Sequence, residues 1–200
     1  VFIVGAGPAG LFCALRLLDH GIRPVILERG KRVEERAQDI AAFMRTGVLD
    51  PDSNVQFGEG GAGAFSDGKL NTQTNDAHNR DVLDTFVRFG APAEVGYLGK
   101  PHVGSDNLKK VVANLRADIL ARGGEIRFCE QLTDVRIRGG RIDEIVTTRG
   151  SEPCACLVLA VGHSARDTFE MLLTRGFAVQ QKEFAAGVRI EHLQEKIGRA

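Results

Sequence analysis

The sequence lacks several features that would point to a common class of protein. Lys and Arg number 26 together, as do Asp and Glu, so no net charge attracts nucleic acid or an anionic membrane. The four cysteines form no C-x-x-C pair, which argues against a disulfide framework, a zinc site or a dithiol relay. We expect mostly buried thiols instead. They suit a reducing compartment, and we therefore expect a cytoplasmic protein.

The sequence also lacks a long uninterrupted hydrophobic run at its start. Glycines, Pro8 and Arg16 interrupt the apolar residues 1–18, VFIVGAGPAGLFCALRLL. We therefore predict a buried strand that turns into a helix, rather than a signal peptide or a membrane span. The chain opens inside an apolar run without an initiator Met, so we expect a fragment of a longer protein.

The chain opens with a βαβ pattern. Residues 1–4 form a short apolar run typical of a central parallel strand, residues 8–20 have helical spacing ended by Gly21, and residues 24–28 read as a second strand. Beyond them the patterns predict helices over 31–46 and 79–89, a helix ended by Gly123, a strand over 125–129, a hairpin around Gly139-Gly140 and a buried strand over 156–161. Ser164 and Asp167 then resemble a capping box. These elements predict an α/β protein with a parallel sheet.

Three glycine-rich stretches match nucleotide-binding patterns. Residues 5–10 and 58–63 both fit G-x-G-x-x-G, and residues 63–70 fit G-x-x-x-x-G-K-[ST] apart from Leu70. Only the first stretch lies between a predicted strand and helix, where backbone N–H groups at a helix N-terminus bind a pyrophosphate. Leu70 removes the hydroxyl that would hold Mg²⁺ in the third pattern. We therefore predict a dinucleotide at residues 5–10.

Glu28 ends the second predicted strand, where a carboxylate meets the ribose hydroxyls of a dinucleotide. Its negative charge disfavours a phosphate on the ribose 2′ position. NAD and the ADP half of FAD both satisfy these requirements, so the residues alone leave both cofactors open.

Several sequence blocks resemble known flavoproteins. VFIVGAGPAG, ILER and the predicted hairpin resemble FAD-binding domains of the glutathione-reductase type, in which the hairpin belongs to a β-meander. Four further blocks resemble a family of FAD-dependent dehydrogenases, or NAD(P)/FAD-dependent oxidoreductases: NVQFGEGGAGAFSDGKL, PHVGSDNL, LAVGHSARDTFEMLL and FAAGVRIEH.

The resemblance implies a domain organisation. A Rossmann-like FAD/NAD(P)-binding domain is expected over residues 1–176. It would contain a long insertion over 30–105 with a glycine-rich flavin loop, and a β-hairpin over 131–148. Residues 177–200 would begin a truncated substrate domain.

The resemblance also implies FAD as the cofactor, with NAD(P)H as a candidate transient reductant. It places the pyrophosphate at residues 5–10, the adenosine ribose at Glu28, the adenine beside Leu132 and the flavin along residues 58–66. The implied cofactor-binding residues are Gly5, Ala6, Gly7, Pro8, Ala9, Gly10, Glu28, Arg29, Arg36, Gly60, Gly61, Ala62, Gly63, Ser66, Leu132, Ala160, Val161, Gly162, His163 and Arg166. Hydride would pass through the flavin N5 atom, so no catalytic side chain is assigned, and no metal is expected.

We therefore expect an FAD-dependent oxidoreductase with a small-molecule substrate and without a nucleic-acid or membrane partner. One alternative is an NAD-dependent dehydrogenase that uses only the first βαβ unit, although the glycine-rich insertion and the hairpin argue against it. The other is a non-catalytic protein, either a flavin-binding redox sensor or an accessory factor in RNA modification. The sequence specifies neither the substrate nor the oligomeric state.

Overall fold

The computed structural model describes residues 1–65, 68, 70, 76–97, 103–183, 187–188, 190–193 and 195. Within them the chain forms seven strands: β1 (Phe2–Val4), β2 (Val25–Glu28), β3 (Glu125–Phe128), β4 (Leu132–Arg138), β5 (Arg141–Thr147), β6 (Gly150–Pro153) and β7 (Leu157–Leu159). Its five α-helices are α1 (Pro8–Asp19), α2 (Val33–Thr46), α3 (His78–Arg88), α4 (Ser105–Ala121) and α5 (Arg166–Thr174). Short 3-10 turns cover Ala62–Phe65 and Ala93–Gly96.

The main sheet has four parallel strands in the order β3-β2-β1-β7. Strand β1 lies in the interior of the sheet, where Phe2 is paired with Val25 on one side and with Leu157 on the other. This arrangement confirms the predicted α/β fold with a parallel sheet. It also explains why β1 is apolar throughout, since a central parallel strand is covered on both faces.

Neighbouring residues of β1 and β2 point into two different hydrophobic cores, because side chains alternate across a strand. Ile3 and Ile26 belong to a large core that is completed by residues of α1 and α4. Val4 and Leu27 belong to a smaller core on the opposite face, together with residues of β4 and β5. The sheet therefore lies between a helical layer and a small antiparallel sheet.

The antiparallel sheet has the order β4-β5-β6 and lies in the chain between β3 and β7. Its first turn contains Gly139 and Gly140, both in the left-handed region, with φ of +58° and +75°. The predicted hairpin is thus confirmed, and β6 extends it to the meander that the resemblance implied. The sequence pattern did not predict β6 separately, because this short strand contains Gly150, Ser151 and Pro153.

Two expectations about individual residues are wrong. Helix α5 begins after Ala165, whose methyl group cannot cap a helix, so Ser164 and Asp167 do not form the predicted capping box. The Ser164 hydroxyl donates to Gln56 Oε1 at 3.2 Å instead. All four cysteines are free, but Cys154 alone is fully buried and two of the others are exposed.

The domain boundary at residue 176 stays a prediction.

None of the helices among the described residues is long and apolar enough to cross a membrane.

Candidate functional site

A cleft of about 480 Å³ opens at the carboxyl ends of β1, β2 and β7. From β1 the chain continues to β2 on one side, and later returns to β7 on the other. Open α/β sheets bind ligands at such a switch point, and the volume lies in the range of small-molecule sites. Both G-x-G-x-x-G loops contribute to the walls of this cleft.

The first glycine loop, residues 5–10, brings β1, α1 and β7 close together. Gly5 has φ of +104°, and a Cβ atom there would lie 2.4 Å from the Ala160 carbonyl oxygen. At Gly10 a Cβ atom would lie 1.9 Å from the Gly5 carbonyl oxygen. Gly10 is therefore a packing residue behind the cleft, whereas Gly5 lines it.

Gly7 and the first turn of α1 form a place for an anion. Gly7 is the N-cap of α1 and Pro8 is its first residue, so the N–H groups of this turn have no helical carbonyl partners. A Cβ atom at Gly7 would find Gly61 Cα at 3.8 Å as its nearest neighbour, so it would fit the fold and occupy space beside the cleft. A helix N-terminus of this kind binds phosphate groups.

Glu28 lies at the end of β2 with its carboxylate fixed by two backbone donors. The Ala6 N–H donates to Oε2 at 2.7 Å, and the Gly30 N–H donates to Oε1 at 2.9 Å. A carboxylate offers about four acceptor positions, so two stay available to hydroxyl groups. Glu28 lines the cleft, while Ala6 lies behind it and orients the carboxylate.

The second glycine loop, residues 58–63, packs against the first. The Gly60 N–H donates to the Ala6 carbonyl at 2.8 Å, and a Cβ atom at Gly61 would lie 3.3 Å from Gly7 Cα. Gly61 and Ala62 line the cleft, whereas Gly60 and Gly63 do not. Ser66 lies outside the described residues.

Arg36 does not line the cleft, contrary to its implied place beside the adenosine and phosphates. Its side chain is fully buried and donates to the backbone carbonyls of five residues: Asn54, Val55, Gly58, Glu59 and Gly61. Burial lowers its pKa to about 10, while the nearby Glu28 and Glu59 oppose this shift. The guanidinium is thus charged at neutral pH, and its hydrogen bonds go to the backbone of the second glycine loop and the residues before it.

Glu59 is a fully buried acid within the second glycine loop, and no sequence pattern singles it out. Its Oε2 accepts hydrogen bonds from the Val33 N–H, at the start of α2, and from Arg116 of α4. Burial raises the pKa of Glu59 to about 7, although both donors act in the opposite direction. Among the described residues, no partner lies within hydrogen-bond distance of Glu59 Oε1.

Arg29 lies at the end of the cleft formed by β2 and α5. Its guanidinium carbon is 4.6 Å from the centre of the Phe57 ring, and Nη2 donates to both Asp167 carboxylate oxygens at 2.9 and 2.7 Å. Gln131 also donates to Asp167. Phe57 and Gln131 also line the cleft, although neither was predicted to do so. Only the position of Phe57 beside the second glycine loop could have indicated its role.

Most of the residues predicted near the end of β7 line the cleft. Leu132 and residues 160–163 line the cleft, and His163 Nε2 is 3.3 Å from the Ser164 hydroxyl. Arg166 is the first residue of α5, is exposed and does not line the cleft. The structure thus brings thirteen predicted residues together in one cleft: Gly5, Gly7, Pro8, Ala9, Glu28, Arg29, Gly61, Ala62, Leu132, Ala160, Val161, Gly162 and His163.

Comparison with known proteins gives a family match and a curated relative of high identity. Residues 1–47 match the FAD binding domain family. An uncharacterized protein of Clostridium beijerinckii is 49% identical over 195 residues, which cover 98% of this chain and 37% of that protein. The chain therefore spans little more than a third of the length of this relative.

Two solved structures share the fold. Thermovibrio ammonificans THI4 is similar over 88% of this chain and 61% of its own, with a TM-score of 0.56 and 19% identity. L-proline dehydrogenase from P. horikoshii is similar over 85% of this chain and 54% of its own, with a TM-score of 0.56 and 12% identity.

The family match covers β1 through α2, and these elements position the glycine at the start of α1 and the carboxylate at the end of β2. It favours FAD over the NAD that the residues alone left open. The chain has a Rossmann-like fold, its residues 1–47 match the FAD binding domain family, and FAD is its cofactor.

Proposed function

We propose that this chain is the FAD-binding part of an FAD-dependent oxidoreductase that acts on a small molecule. The observation that carries the proposal is the convergence of two glycine loops and three strand ends in one cleft, beside the segment that matches the FAD binding domain family. We further propose that the fold is of the glutathione-reductase type and that the protein is an FAD-dependent dehydrogenase of the cytoplasm.

The residues of the cleft fit the parts of FAD. The N-terminus of α1 would hold the pyrophosphate, because its N–H groups are directed outward and Gly7 leaves space. Glu28 would accept hydrogen bonds from the adenosine ribose with its two free acceptor positions. Leu132 would lie beside the adenine, and Gly61 with Ala62 would follow the flavin half.

Bound FAD supplies a hydride acceptor or donor at its N5 atom. The protein residues named above would bind and orient the cofactor, while the apolar residues of the cleft exclude water from it. NAD(P)H is our candidate for the transient reductant. In the non-catalytic alternative, FAD would be bound but would not be turned over.

The visible absorbance spectrum of the purified protein tests this proposal. We expect flavin bands in the wild type, and their loss in Gly7→Ala, since the added methyl group would occupy space needed by the pyrophosphate. The matched control is Gly96→Ala, because the nearest neighbours of a Cβ atom there also lie at 3.8 Å and Gly96 does not line the cleft. Its flavin content should equal that of the wild type.

A wild-type protein that is colourless and does not take up added FAD would contradict the proposal. Equal flavin content in both glycine variants would place FAD elsewhere. To separate an enzyme from a redox sensor, the flavin-loaded protein is mixed with NADH or NADPH and an electron acceptor. Continuous turnover favours the enzyme, whereas a single reduction without turnover favours the sensor.

A further inference from the structure

The side chain of Arg36 gathers the carbonyl groups of the second glycine loop around one buried cation. Nε donates to the Asn54 carbonyl at 2.7 Å, and Nη1 donates to the Glu59 and Gly61 carbonyls at 2.7 and 2.8 Å. The longer bonds of Nη1 and Nη2 add the Gly58 and Val55 carbonyls. One side chain of α2 therefore fixes the backbone from residue 54 to residue 61.

Phe65 closes this cluster, because its ring centre lies 4.5 Å from the guanidinium carbon of Arg36. The side chain has no exposed surface, so water does not compete for its donors. A guanidinium has five N–H groups in a planar fork, whereas a lysine ammonium has three in a compact head. Only arginine can hold this set of carbonyls.

The orientation of these carbonyls matters for an anionic ligand. Gly58 and Gly61 line the cleft, yet their carbonyl oxygens accept hydrogen bonds from the buried guanidinium. These partially negative oxygens are thereby directed into the protein rather than toward a pyrophosphate. The same contacts hold Gly61 against Gly7, the residue at the N-terminus of α1.

We propose that Arg36 is a positioning residue for FAD, which acts by holding the second glycine loop in its binding shape rather than by touching the cofactor. The inference rests on the proposed placement of FAD in the cleft. It predicts that the loop has this shape before FAD binds. It also predicts that a change at Arg36 weakens FAD binding only by changing the loop conformation.

A double-mutant cycle tests this inference, with FAD dissociation constants measured by flavin fluorescence. Arg36→Lys keeps the charge but loses the fork. Gly60→Ala distorts the loop independently of Arg36, because its Cβ atom would lie 2.8 Å from Ala64 Cβ at a φ of +85°. We expect each variant to weaken FAD binding about tenfold, and the double variant to weaken it about tenfold as well. The flavin absorbance maximum should shift in the same direction in all three variants.

The matched control is Arg175→Lys, since Arg175 pairs with Asp134 outside the cleft, with Nε to Oδ1 at 2.7 Å. It should bind FAD as the wild type does. A double variant weakened about a hundredfold would show that Arg36 acts independently of the loop conformation, and unchanged binding in Arg36→Lys would show that the fork is not needed. Either result would overturn the proposal. Wild-type protein without FAD binding would overturn the placement of FAD itself and not only the role of Arg36.

Hydrogen exchange on the wild type decides the question if Arg36→Lys does not fold. The proposal expects backbone amides of residues 54–61 to be protected without FAD, and to gain little protection when FAD is added. Amides that exchange freely until FAD binds would overturn it.

Discussion

Glu59 is a buried carboxyl group with hydrogen bonds to only one of its two oxygens among the described residues. It connects the second glycine loop to the start of α2 and, through Arg116, to α4. Arg116 also pairs with Glu34, so the buried acid shares its cation with a second acid. Burial therefore outweighs pairing, and the pKa of Glu59 rises to about 7.

This raised pKa predicts that Glu59 makes the protein less stable as pH rises. Between its ordinary pKa of 4.5 and about 7, the folded state keeps a proton that the unfolded state has released. The free energy of unfolding must then fall through this window, by roughly 3 kcal/mol in total. Urea unfolding of the wild type and of Glu59→Gln across pH 4 to about 8 measures the effect.

The difference between the two profiles isolates Glu59, because all other groups titrate in both proteins. We expect the stability of Glu59→Gln relative to the wild type to increase with pH. Glu144→Gln is the control, since hydrogen bonds with Ser151 and Arg136 lower the pKa of Glu144, and this group has ionised before the window opens. Parallel profiles for the wild type and Glu59→Gln would contradict the prediction.

At the residue scale, the sequence identified groups whose role follows from a local pattern. Glu28 was found because it ends a strand at a fixed place in a βαβ unit, and Gly7 because it begins a helix. A local sequence pattern could not predict where the Arg36 side chain points. Its partners are the carbonyls of residues 54–61, and the chain conformation that brings them together is not encoded in local spacing.

Helix α1 lies so close to β1 that the Gly10 position has no room for a side chain. We predict that Gly10→Ala lowers the free energy of unfolding by about 2 kcal/mol, because the methyl group would overlap the Gly5 carbonyl oxygen and push the helix away from the strand. Urea unfolding without FAD measures the loss.

Gly7→Ala is the natural comparison, since its methyl group would make only an ordinary contact at 3.8 Å. We expect this variant to unfold at the wild-type urea concentration while losing FAD. If Gly10→Ala were as stable as the wild type, helix and strand could separate at no cost, and the tight packing of this loop would not be required.

At the element scale, the sequence predicted the bounds of two helices to within two residues. The prediction of 31–46 became α2 (Val33–Thr46), and that of 79–89 became α3 (His78–Arg88). Strand β6 was missed because hydrogen bonds with β5 hold it in place rather than apolar side chains. The start of α5 was misjudged because the Ser164 hydroxyl has a long-range partner in Gln56.

The whole molecule is built around a sheet shared by two hydrophobic cores. Val4 packs in the smaller core with the meander, while its neighbour Ile3 packs in the larger core with α1 and α4. We predict that Val4→Ala lowers the hydrogen-exchange protection of backbone amides on both faces of the parallel sheet. The loss should be the same on each face, about 2 kcal/mol, because β1 contributes side chains to both cores and couples their unfolding.

Hydrogen exchange in α4 and in β5 measures the two faces separately. Thr174→Ala is the control, because its exposed hydroxyl donates only within its own helix, to the Glu170 carbonyl. Loss of protection in β5 without loss in α4 would show that the two cores unfold independently.

The pairing of β1 with β7 also bears on how the protein is made. Leu157 lies much later in the chain than its partner Phe2, so it leaves the ribosome later. Until then one edge of β1 is unpaired, and its backbone N–H and C=O groups on that side lack their strand partners. Strand β7 leads into residues 160–163 of the cleft wall, so a nascent chain that has not yet reached β7 lacks this side of the cleft.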